Sequence, residues 1–181
     1  MRYVKSFLFV LVGLLWLLFS SNSNETEILY WGQTGKLTWE DFDGEPRFDL
    51  KEIYALTSSG LMDSKGCKDG IIIYKIKSYF EKNESWVKEE ARTDYHLAHE
   101  QLHFDITELY ARKLRKLLSS MEFKCGEEDK FEKFIAATLE NWYNEQKNYD
   151  IITRHSVDRE KQVEWQYRIK MELSLLEEYA D

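Results

Sequence analysis

The spacing of hydrophobic residues changes about halfway along the chain. Between residues 71 and 80 it alternates. Ile72, Tyr74, Ile76 and Phe80 share one side at period two, which predicts a strand over Ile71–Phe80 with one face in a core. Leu37–Phe42 and Leu50–Ser58 are shorter strand candidates, bounded by Gly, Asp and Pro46. Ser58-Ser59-Gly60 and Lys68-Asp69-Gly70 are turn signals. From about Thr93 the period lengthens. Ala98, Leu102, Ile106, Leu109, Lys113 and Leu117 recur at three- and four-residue steps, and Thr93 or Asp94 can cap a helix that runs to about Ser119. Phe131, Ile135, Leu139 and Trp142 predict a second helix from about Asp129 to Lys147, followed by a connector of Asn148, Tyr149 and Asp150. Ser156 can cap a third helix over Val157–Glu178, with Trp165, Ile169, Leu173 and Leu176 in line. Strands followed by helices predict an α+β fold, an N-terminal β-rich half packed on three main helices.

One apolar run belongs to no core. Phe7–Phe19 is 13 residues long, interrupted only by Gly13, preceded by Arg2 and Lys5 and followed by Ser20, Ser21, Asn22 and Ser23. Basic start, short apolar middle and small polar end are the parts of a secretory signal, with cleavage expected near Ser23. The run falls short of the roughly 18 residues of a spanning helix. The expected organisation is a signal peptide over 1–23 and a single domain over 24–181, exported to the periplasm or beyond, with no membrane attachment after cleavage. Export bears on Cys67 and Cys125, because an even pair in an oxidising compartment can form a disulfide.

Composition narrows the function. The chain has 181 residues, of which 43% are hydrophobic and 15% aromatic, enough for a real core. Its net charge is −8. Loss of Arg2 and Lys5 with the signal leaves 23 basic and 33 acidic residues, a net charge of −10. A phosphate backbone needs a concentrated basic surface, so nucleic acid is not an expected partner.

Three of the four histidines fall within eight residues, and His99-Glu100-Gln101-Leu102-His103 is an HExxH sequence. Four residues of helix turn through about 400°, so His99 and His103 lie on one face, one turn apart. Two imidazoles placed in this way suit a single Zn²⁺. Glu100, between them, can act on a water as general base. A catalytic zinc site takes three protein donors. His155, the only histidine outside the cluster, is the first candidate for the third. Glu140 and His96 are the alternatives. Asp105 and Glu108 point from other faces of the helix and suit structural roles. Tyr149 can donate a hydrogen bond to a developing oxyanion.

The segment from His99 to Arg112 resembles the signature of an uncharacterised bacterial family of predicted secreted zinc-dependent proteases, a domain-of-unknown-function family of the zincin type. Leu37-Thr38-Trp39-Glu40-Asp41-Phe42 and Ser85-Trp86-Val87 resemble its upstream segments. Tyr149-Asp150, Thr153 and His155 resemble its downstream pattern, and Gln162 and Trp165 match its next landmarks. The likeness covers most of residues 30–170; Ser156 stands where the family usually has Gly. It implies a zincin-like helical half, a zinc cofactor and His155 as third ligand. It also implies an edge strand beside the HExxH helix for extended substrate, for which Ile71–Phe80 is the candidate. The expected function is an exported zinc-dependent peptidase acting on peptide or protein substrates. A non-catalytic, metal-containing binding module of the cell envelope is the alternative, and the presence of Glu100 favours the enzyme.

Overall fold

The computed structural model describes residues 27–33 and 35–181, so the export signal expected over 1–23 lies outside the described residues. Strands come first. β1 (Ile28–Tyr30), β3 (Ser59–Lys68) and β4 (Ile71–Glu81) form an antiparallel sheet in the order β1-β4-β3, while β2 (Ala55–Leu56) pairs with β5 (Trp86–Val87). Three helices follow: α1 (Asp94–Ser119), α2 (Glu128–Thr153) and α3 (Arg159–Leu175). The architecture is the expected α+β arrangement.

β4 keeps the predicted alternation. Ile72, Ile76, Ser78 and Phe80 are buried and Tyr74 partly so, while Ile73 and Lys75 face solvent. The hairpin into β4 turns at Asp69 and Gly70, both with positive φ (54° and 82°), the backbone that a tight two-residue hairpin requires. β4 has neighbours on both sides, so it offers no free edge to a substrate, contrary to the expectation for Ile71–Phe80. Leu37–Phe42 is not a strand either. Thr38 and Asp41 close a capping box around a single 3₁₀ turn at Trp39–Asp41, and their reciprocal hydrogen bonds outcompete extension. Of Leu50–Ser58, only Ala55–Leu56 is strand. Ser59–Gly60, read as a turn, opens β3 instead. Gly60 is needed there because a Cβ would stand 2.6 Å from the Tyr79 ring across the ladder.

α1 is the central element, packed on β4, α2 and α3. Thr93 caps it, its side chain accepting from the His96 N–H. Leu102, Ile106 and Leu109 face α2 and α3, whereas Ala111, Leu114 and Leu118 face the sheet and Phe131 of α2. Glu108 accepts from Ser78 of β4, from Arg112 and from Arg115. Arg112 and Arg115 also hold the carbonyls of Leu173 and Tyr179. Glu108 is thus structural, as is Asp105, which accepts from Trp31 and Gln101. Cys67 and Cys125 form a disulfide that ties the end of β3 to the α1–α2 connection.

Candidate metal centre

α1 and α2 form an antiparallel helical hairpin with a regular register. Trp142 donates to Thr107 at 3.2 Å, Gln146 meets His103 at 2.7 Å, and Asp150 meets His99 at 3.2 Å. Each four-residue step down α1 is matched by a four-residue step up α2. α2 therefore runs to Thr153, six residues past its predicted end. Tyr149 and Thr153 are fully buried and repay continuing the helix through the polar Asn148-Tyr149-Asp150 stretch. Beyond it, Arg154, His155 and Ser156 all have positive φ (51°, 50° and 71°), and the His155 N–H closes the helix end on the Asp150 carbonyl at 2.9 Å. Ser156 is not the cap of the third helix. Asp158 is, accepting from the Lys161 N–H.

This register brings His99, His103 and Asp150 into one compact donor group, their ligand atoms all within 4.8 Å of one another. Asp150 Oδ1 lies 3.2 Å from His99 Nε2 and 3.1 Å from His103 Nε2. The opposite ring nitrogens are already engaged: His99 Nδ1 with Gln162 Oε1 at 2.9 Å and His103 Nδ1 with Gln146 Oε1 at 2.7 Å. An amide oxygen only accepts, so each Nδ1 carries a proton, which leaves each Nε2, facing Asp150, to offer its lone pair to a metal or to take up a second proton. Two neutral imidazole lone pairs and a carboxylate oxygen repel one another unless a cation joins them. The two imidazole–Asp150 separations are close to the roughly 3.3 Å edge of a tetrahedron with metal–ligand bonds of about 2.0–2.1 Å. The residues present could hold a metal ion, and a His₂-carboxylate set is one that zinc accepts.

Without a metal, a proton on His103 takes its place. Burial opposes a charge on His103, but the hydrogen bond and charge of Asp150, joined by the charge of Glu100, outweigh it and push the imidazole up to about 9. Burial would likewise raise Asp150, yet His103 and His99 hold its carboxyl well below the usual carboxylate range.

Glu100 is buried beside the group, and its Oε2 accepts from the Thr57 hydroxyl at 2.8 Å. The cleft over this floor has a volume of about 270 Å³. Residues Ile53–Thr57 wall one side and Trp142, Tyr143, Gln146 and Lys147 the other.

Not every expected residue falls into place. His155 follows the left-handed turn after α2 and reaches the cleft, its Nδ1 3.4 Å from Asp150 Oδ1, but it is not part of the compact group. Asp150, rather than His155, shares the compact group with His99 and His103. Glu140 is exposed on α2, ten residues before Asp150 and outside the cleft. His96 borders the cleft, but its Nδ1 faces the Ala91 carbonyl and Thr93. Tyr149 is no oxyanion partner. Its ring stacks on His99 at 4.6 Å, and its fully buried hydroxyl donates to Gln162 at 2.7 Å and to the His99 carbonyl at 3.3 Å. Burial pushes its pKa up, so it remains a donor. Asp150, Gln146, Gln162 and Thr57 touch the two histidines or Glu100, contacts that the sequence does not announce. The signal for two of them was the i, i+4 spacing of Gln146 and Asp150, legible once the second helix continues to Thr153.

Residues 80–156 match the model of a family described as a bacterial protein of unknown function (DUF922). The matched stretch runs from the end of β4 to the turn after α2 and contains the whole donor group with Glu100 and His155. No curated protein and no solved structure matches the chain.

Proposed function

We propose that the chain is an exported zinc-dependent peptidase. The observation that carries this reading is the convergence of His99 Nε2, His103 Nε2 and Asp150 Oδ1 beside the buried carboxylate of Glu100, on the floor of an open cleft. A zinc ion held by the three donors would supply a Lewis acid that polarises a peptide carbonyl and acidifies water. Glu100 takes a proton from the attacking water and returns it to the leaving amine as the C–N bond breaks. Thr57 holds the carboxylate of Glu100 in line for both transfers. Gln146 and Gln162 keep the two imidazoles in the tautomer that presents Nε2.

The cleft also has a place for extended peptide. In the β2–β5 pair the Lys88 N–H bonds the Tyr54 carbonyl, so Tyr54 and Leu56 turn toward β5 while Ala55 turns its N–H and C=O the other way. A substrate strand can add to that edge. Export is supported by the apolar run at Phe7–Phe19 and by the Cys67–Cys125 disulfide, which suits an oxidising compartment. The test is Glu100→Gln, assayed on a peptide library after metal loading. It should bind as much metal as the wild type and lose at least roughly a hundredfold in hydrolysis, the scale of a removed general base. Wild-type turnover by the variant would remove Glu100 from the mechanism.

A further inference from the structure

The cleft does not end at the donor group. Past Asp150, His96 and His155 it opens into a second hollow of about 690 Å³, within the range of roughly 300–1,000 Å³ that accommodates sizeable ligands. Three large apolar side chains border this hollow and remain in solvent: Val157 at 69% exposure, Ile151 at 66% and Tyr54 at 49%. Scattered exposed apolar residues need no explanation, but these three ring one concavity continuous with the metal cleft. The backbone brings two of them together. Ile151 follows Asp150 on the last turn of α2, and the left-handed run Arg154–Ser156 folds the chain back to bring Val157 to the same hollow. Each non-glycine residue in that conformation costs about 1 kcal/mol or more. Apart from Asp150, which belongs to the donor group, the charged lining residues balance: Lys51 and Arg154 against Glu52 and Glu90. The hollow therefore selects by apolar contact, not by net charge.

We infer that this hollow is a specificity subsite that takes a large aliphatic or aromatic residue of an extended peptide whose backbone passes the donor group. The cleavage part of this inference rests on the peptidase reading; the binding preference does not. The test uses a series of quenched peptides in which Leu, Phe, Ala or Asp occupies each position in turn. They are assayed with the wild-type protein and with Val157→Ser and Ile151→Ser, after metal content has been matched. Leu and Phe peptides should be cleaved at least roughly tenfold better than Ala peptides, and that advantage should fall about tenfold in either variant while Ala peptides are unaffected. Measurable but equal cleavage of all four, or equal loss on all four, overturns the subsite. A second arm titrates the same peptides, fluorescently labelled, into Glu100→Gln with and without Val157→Ser. Tighter binding of Leu and Phe peptides that Val157→Ser weakens supports the subsite even where no peptide is hydrolysed, an outcome that removes the peptidase reading instead. Equal binding of all four peptides removes the subsite.

Discussion

At the scale of single residues, the centre is a contest between protons and a cation for the same lone pairs. His103, held up to about 9 by Asp150 and Glu100 against the cost of burial, carries a proton at neutral pH when no metal is present. A metal must displace it. Apparent metal affinity should therefore rise about tenfold per pH unit up to about pH 9 and then level off. Competition against a chelator of known affinity across that range measures this, and a flat profile between pH 7 and 9 would contradict it. The linked stability has the opposite sense. A raised imidazole pKa stabilises the metal-free fold fully below the unfolded value of about 6.5, and this contribution is lost as pH rises through about 9.

At the scale of elements, the antiparallel register of α1 and α2 decides which side chains meet. Tyr149 illustrates the consequence, since a residue placed in a connector can reach the cleft, whereas one inside α2 is committed to the seam behind His99. Tyr149→Phe should keep the stack, lose two hydrogen bonds, reduce stability by about 1–2 kcal/mol and leave peptide turnover within a few-fold. Denaturant unfolding and steady-state kinetics check the two halves, and a turnover loss approaching that of Glu100→Gln would restore Tyr149 to the reaction. The same register explains what was legible in the sequence. β4 and α1 were, because Ile72, Ile76 and Phe80, like Leu102, Ile106 and Leu109, bury a face at the period of their element. β3 was not, because Ser59, Gly60, Ser64 and Gly66 have weak strand preference and owe their conformation to pairing with β4. His99, Glu100 and His103 declared themselves by spacing along one helix. Asp150 did not, because its partners lie 47 and 51 residues away and meet it only through the hairpin.

At the scale of the molecule, long-range ties hold the donor helices against the sheet. The Cys67–Cys125 disulfide closes a loop of 58 residues between β3 and the α1–α2 connection, a span worth roughly 4 kcal/mol by the chain-entropy relation. Replacing both cysteines by serine should lower unfolding stability by about that amount while leaving metal stoichiometry intact, since neither sulfur approaches the centre. Guanidinium unfolding followed by metal analysis tests both statements. A bound metal and the disulfide would thus act on different parts of the fold: a metal would join α1 to the end of α2, and the disulfide ties the tip of the β3–β4 hairpin to the connection before α2. The metal-binding role of His99, His103 and Asp150 is the feature most directly open to measurement. Elemental analysis of the protein after zinc loading and desalting should find one equivalent per chain in the wild type and a large loss in Asp150→Ala. Absence of retained zinc in the wild type, or a full equivalent in Asp150→Ala, would contradict it.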